Sequence, residues 1–246
     1  MHILAYALPL ALLFLCTLSR LYTTPCCCNK GKKAPTSNFT TSTMAAEINA
    51  TMKDIINSDF EDNKDERVII VDENNEFQEL KARKIMRMEN LWHRSTSIFV
   101  FTKIGEEYFI YVHKRSKVKD YCPSYYSIGF GGVVSENEDM LGNAVKELEE
   151  ESGIKKSPEQ LFDLGVVKCD TECSRSFVGS YVVFIDPDFQ TIPQLNEVEF
   201  ITRIPLSEFD EFLQKEKFTV ISKTVYNHFK DKMTKSALDE IYKKIN

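Results

Sequence analysis

Residues 131–154, GGVVSENEDMLGNAVKELEEESGI, constrain this chain more than any other stretch. The second half is expected to be a helix. Asn137, Glu138 and Asp139 put acceptors and negative charge where a helix begins, and Gly153 stands where one ends. Leu141, Ala144, Val145 and Leu148 fall on one side at 100° per residue, so that side is expected to be buried. Glu147, Glu150 and Glu151 stand at i, i+3 and i+4 in a separate stripe, with Glu149 close by. Like charges at those spacings cost a helix a few tenths of a kcal/mol per pair. Either the face is solvated and tolerates that cost, or a cation offsets it. A hard divalent ion such as Mg²⁺ takes carboxylate oxygens and shares its remaining positions with substrate phosphates and water. Gly131 and Gly132 ahead of the helix suit such a site, because a backbone without side chains approaches a ligand closely.

The spacing favours the cation. Gly132, Glu138, Glu147, Leu148, Glu150, Glu151, Gly153 and Ile154 fit G-x5-E-x7-R-E-U-x-E-E-x-G-U, where U is aliphatic. This resembles the signature of the Nudix hydrolase superfamily, with one departure, Lys146 where the family has Arg. The resemblance implies an α/β fold, an αβα sandwich with a mixed β-sheet, over residues 65–230. It also implies metal-assisted hydrolysis of a diphosphate linkage with Mg²⁺ (or Mn²⁺) as cofactor. The metal would be held by Glu147, Glu150, Glu151 and Glu138 and a backbone carbonyl of Gly131 or Gly132. Glu147 and Glu150 would be catalytic. Family members often recruit the base from a loop outside the box, and Glu197 in LNEVEF is the candidate, with Glu199 behind it. Lys146 keeps the charge of the family Arg and loses its bidentate grip on a neighbouring carboxylate.

A second resemblance narrows the branch. VDENNEF, HRSTSIFVF and HKRSKVKDYCPSYYSIGFGG are similar to the isopentenyl-diphosphate isomerase-like side of the superfamily. It implies substrate binding by Arg115 and Lys119, which match diphosphate-gripping positions there, and by Tyr126, in the slot of an active-site aromatic. Arg and Lys suit phosphate oxygens as charge-assisted donors, although HKRSKVK also reads as an exposed basic loop. True isomerases of this type need a Cys just before the box and a His just inside it, where this chain has Gly131 and Val133. Met86 replaces their first ligand His, only His93 survives, and CSRSFVGSYVVF has no counterpart of their Glu-x-Glu. Protonating an alkene needs a positioned acid, and none is supplied. A hydrolase is therefore expected. An isomerase-like enzyme and a diphosphate-binding module without chemistry are the alternatives.

The remainder of the 246 residues suits one domain with an N-terminal extension. A net charge of −6 with no basic stripe argues against a general nucleic-acid binder. Residues 1–22 read as a signal peptide or signal anchor, since ILAYALPLALLFLC is an uncharged apolar run closed by Arg20. Residues 23–64 read as a low-complexity linker, basic and acid-free before Glu47, resembling a transit-type address or a disordered tether. Asn38 and Asn49 are glycosylation acceptors if the chain enters a lumen. Membrane attachment is expected through residues 3–18 and Cys26–Cys28, and a translation start at Met44 would remove the address and leave a cytoplasmic enzyme. The other cysteines fit neither a disulfide framework nor a zinc site; Cys169 and Cys173 are close enough in sequence to pair locally, and free thiols are the expectation.

Strands are expected near 67–71, in a hairpin turning at Ile104-Gly105, from Tyr125 to Val134, and at 161–169, 177–185 and 198–204. Helices are expected at 206–216 and from Ile221 to the C-terminus, with 231–246 as a C-terminal helix beyond the domain.

Overall fold

The computed structural model describes residues 66–119 and 121–245. The expected leader (1–22), its linker (23–64), Met44, Cys26–Cys28 and both glycosylation acceptors lie outside the described residues.

Strand β3 (Trp92–Ile104) is the axis of the fold. It is apolar at successive positions, which suits a strand covered on both faces. Along one edge it pairs in parallel with β7 (Arg175–Phe184), which continues antiparallel to β6 (Phe162–Asp170). Along the other edge its start meets β1 (Arg67–Val71) and its end meets β4 (Glu107–Arg115). β1 forms a hairpin with β2 (Phe77–Ala82), and β4 pairs with β5 (Tyr126–Ser127) and β8 (Val198–Pro205).

Helices cover both sides, and β3 shows which side each takes. Ile98 and Val100 pack with Ala144 and Leu148 of α2 (Met140–Ser152). Phe99 and Phe101 point the other way, into a larger core. That core holds Phe209 of α3 (Phe209–Lys215), Tyr226 of α4 (Val220–Phe229) and Leu238 of α5 (Lys235–Ile245). Short helix α1 (Arg83–Met88) lies between β2 and β3, its Met86 buried against Val68, Ile70 and Val133. The αβα arrangement with a mixed sheet is the one expected.

Several local expectations are corrected. The segment 125–134 is a strand only at Tyr126–Ser127. Gly131 has φ +146°, and a Cβ there would sit 2.3 Å from the Thr96 carbonyl oxygen, so the chain breaks from regular pairing. It still follows β3, with Phe130 and Ile98 exchanging both backbone hydrogen bonds and Gly132 O accepting from Thr96 N. The hairpin turns one residue late, at Gly105-Glu106, with Gly105 at φ +60°. β8 runs one residue further than expected, to Pro205, and α3 begins at Phe209 and not at 206.

The expected C-terminal helix is broken by a 3-10 turn at Lys230–Met233. Thr234 restarts it by accepting a hydrogen bond from Ala237 N. Its resumption, α5, belongs to the domain, because Leu238 and Ile241 are buried in the main core. Strand β2 was not expected. Its polar, largely exposed residues carry little pattern.

Candidate metal and phosphate site

Helix α2 begins and ends as its sequence dictates. The Asp139 side chain accepts from Gly142 N at 2.6 Å, and Gly153 closes the helix at φ +71° with its N–H on Glu149 O. Burying Ala144 and Leu148 against the sheet turns Glu147 and Glu151, one turn apart, toward the irregular 129–134 segment. Gly131 N donates to Glu151 Oε2 at 2.9 Å. A Cβ on Gly132 would lie 2.3 Å from Glu147 Oε1, so this glycine is where the carboxylate meets the backbone.

The third carboxylate comes from far along the chain. The β4–β8 register pairs Arg115 with Val198, and Ser116 N donates to Glu197 O at 2.8 Å. This brings the Glu197 carboxylate to Glu147 and Glu151, with one ligand oxygen from each of the three within 4.8 Å of the others. Glu151 is 2% exposed. Burial above all, then the charges of Glu147 and Glu197, pushes its carboxyl well above the usual range against the Gly131 N–H and Arg115. Glu147 is raised in the same way, by burial first and by Glu197 next, with Arg83 and Lys146 opposing. Two carboxyls raised in this way, with a third carboxylate beside them, suit the uptake of either protons or a cation.

The trio faces a cavity of about 310 Å³ whose wall also carries Arg83, Arg87, Arg115, Lys119 and Lys146. Lys119 is almost fully buried and pairs with Glu197 at 3.2 Å. Arg115 Nε donates to Tyr121 O at 2.8 Å. Glu150 lines the cavity from an exposed position outside the close trio.

Two expected site residues stand elsewhere. Glu138 accepts from Lys146 Nζ and Asn143 Nδ2, both at 2.8 Å, and is not among the cavity-lining residues. Its carboxyl is lowered by these bonds despite the opposing effect of burial, so it braces the start of α2. Tyr126 packs among Phe200, Phe212 and Phe218 at 5.3–6.0 Å between ring centroids, and does not line the cavity. That aromatic cluster, not a ligand, explains its burial. Glu199 is exposed and likewise outside the wall.

His93 lines the cavity, yet its Nδ1 lies 2.9 Å from Leu91 O. Burial, then the charges of Arg87 and Arg83, depress its pKa to about 3, so it stands neutral. Met86 and Val133 fill one small apolar cluster where an isomerase would place two histidines. Cys122, Cys169 and Cys173 are buried thiols outside any disulfide, as expected for the latter two.

Sequence reasoning passed over Arg83, Arg87 and Tyr121. The four-residue spacing of the two arginines in ARKIMRMENLW was the available signal.

The NUDIX domain family model matches residues 91–229. An uncharacterised Nudix hydrolase of Clostridium acetobutylicum is 26% identical over 155 residues, which cover 61% of this chain and 75% of that protein. The uncharacterised Nudix hydrolase YfcD of Escherichia coli is 40% identical over 93 residues, 38% of this chain. The match spans only half of YfcD's length. Among solved structures, the Deinococcus radiodurans protein DR0079 superposes with a TM-score of 0.52 at 19% identity, over 66% of this chain and 98% of that one. This last likeness concerns the fold alone.

Proposed function

This chain belongs to the Nudix domain family, and on that premise we propose that it hydrolyses a diphosphate linkage in a small molecule with the help of Mg²⁺ or Mn²⁺. The observation that carries the reading is the convergence of Glu147, Glu151 and Glu197 within 4.8 Å, in a cavity that Arg115 and Lys119 also line. The donor set fits the metal: all ligand atoms are carboxylate oxygens, and the site is dry enough to penalise uncompensated charge. Glu147 and Glu151 would hold it, with Glu197 completing the set or serving as base and Glu150 contributing from the rim. A bound divalent ion supplies a polarised phosphoryl oxygen and a more acidic water.

The chain's own residues do the rest. Arg115 and Lys119 orient the diphosphate by charge-assisted hydrogen bonds. Lys119 holds Glu197 at 3.2 Å, which would position that carboxylate to accept a proton from the attacking water. The Gly131 N–H fixes Glu151, and Lys146 steadies Glu138 through one hydrogen bond where an arginine would make two. The resemblance to the isopentenyl-diphosphate isomerase-like branch would extend to the diphosphate grip and not to the isomerisation. Gly131, Val133 and Met86 leave the alkene without an acid.

A panel of nucleoside diphosphate conjugates, dinucleotides, coenzymes and prenyl diphosphates, assayed for released phosphate species with Mg²⁺ and Mn²⁺, tests the reading. Metal-dependent release from at least one class is expected. Binding without release across the whole panel would point instead to a module that kept the fold and lost the chemistry.

A further inference from the structure

Five basic side chains line the cavity, more than one diphosphate requires. We propose that Arg83 and Arg87, with the Ser176 hydroxyl, form an anion subsite of their own beside Arg115 and Lys119, and that the substrate carries a further phosphoryl group seated there. The proposal rests on the diphosphate-hydrolase reading and extends it to the class of substrate.

Arg83 and Arg87 stand one turn apart on α1, so they share a face, and both line the cavity. Glu66 anchors Arg83 at 3.0 Å and also accepts from Ser135 Oγ, which sets the guanidinium in place at the wall. The Arg87 guanidinium lies 5.3 Å from the centroid of the Tyr121 ring, and that of Arg115 lies 5.8 Å from the same centroid. One aromatic ring therefore joins the two basic groups into a continuous edge.

Ser176 sits opposite His93 in the parallel β3–β7 register, and His93 is the ring that feels the charges of Arg87 and Arg83. The Ser176 hydroxyl is 1% exposed with its residue, lines the cavity and has no hydrogen-bond partner among the described residues. A buried hydroxyl left in that state is worth satisfying, and a phosphoryl oxygen would do so.

The rest of the wall agrees. Val133, Val178 and Ile221 are its only aliphatic side chains among the described residues, which offers little to a prenyl tail. An oligophosphate, or a polyol diphosphate phosphorylated again, fits the charge; a diphosphate capped by a hydrocarbon does not.

Calorimetric titration of the full-length protein in Mg²⁺ with two non-hydrolysable probes separates subsite from chemistry. The probes are methylenediphosphonate and the triphosphate analogue with methylene bridges. Wild type is expected to bind the longer probe at least ten-fold more tightly. Arg87→Gln and Arg83→Gln should remove most of that preference, Arg87→Lys should keep part of it, and Arg115→Gln should weaken both probes alike. Circular dichroism checks that Arg83→Gln still folds after losing its Glu66 pair, and Arg87→Gln carries the test if it does not. Equal wild-type affinity for the two probes, or an equal loss on both in Arg87→Gln, overturns the subsite and leaves the hydrolase reading intact. Failure of wild type to bind either probe overturns both.

Discussion

Gly131 and Gly132 are neighbours with different reasons to be glycine, and the difference is measurable. A Cβ on Gly132 meets the end of a flexible side chain, Glu147 Oε1 at 2.3 Å, which can swing away. Gly132→Ala is expected to cost the fold little, below about 1 kcal/mol, while displacing a metal carboxylate and lowering turnover by roughly 100-fold. A Cβ on Gly131 meets backbone, the Thr96 carbonyl at 2.3 Å, at a φ of +146°. Gly131→Ala should therefore destabilise the protein itself, by about 1–3 kcal/mol or more. Urea unfolding beside turnover for the two variants checks the contrast.

The carboxyls of Glu147 and Glu151 carry a second prediction. Both are raised in the folded state by burial and by the charge of Glu197, and Glu151 also by Glu147, so the folded protein holds protons there that the unfolded chain has released. The contribution of these two groups to stability in EDTA is then fully present below the ordinary carboxylate value of 4.5 and is lost as pH rises through neutrality. Mg²⁺ should raise the melting temperature more at pH 8 than at pH 5. A melting temperature in EDTA that climbs over this range would show that the trio is already compensated.

Among the elements, α5 makes the sharpest prediction. Leu238 is fully buried, and Asp239 accepts from Lys103 Nζ at 2.7 Å and Tyr108 OH at 2.8 Å across the core edge. Leu238→Ala is expected to cost about 2–5 kcal/mol in urea unfolding. A value near zero would make α5 an appendage, as its sequence suggested. The sequence read one helix from Ile221 to the C-terminus because Lys230–Met233 contains neither Gly nor Pro to mark a break. The break comes from Thr234 capping a new helix and from Met233 entering the core, and both are tertiary facts. Helix α2 was legible throughout, since Asp139, Gly153 and the Ala144–Leu148 spacing are local signals. The 129–134 segment was only half legible: its glycines were visible, but the β3 backbone they lie against was not. Likewise Glu147 and Glu151 announced themselves by their spacing, whereas Glu197 joins them through the β4–β8 register, which no local pattern encodes. Tyr126 misled because its aromatic neighbours are distant in sequence.

For the whole molecule, the address and the chemistry are separable. Residues 1–46 lie outside the described residues, and their uncharged apolar run and acid-free linker are expected to carry a fluorescent reporter into the secretory pathway. A diffuse cytosolic reporter would overturn that address without touching the hydrolase. Carboxylates and basic groups line one cavity together, with Lys119 on Glu197 at 3.2 Å, an arrangement suited to a cation and a polyanion bound together. The most direct test is the rate of phosphate release as Mg²⁺ is titrated into wild type, Glu147→Gln, Glu151→Gln and Glu197→Gln, on whichever diphosphate the panel selects. Wild type should saturate with Mg²⁺ and fall silent in EDTA, and each variant should lose roughly 100-fold or more in kcat with its fold intact. Wild-type rates in EDTA, or undiminished turnover in Glu151→Gln, would contradict the account.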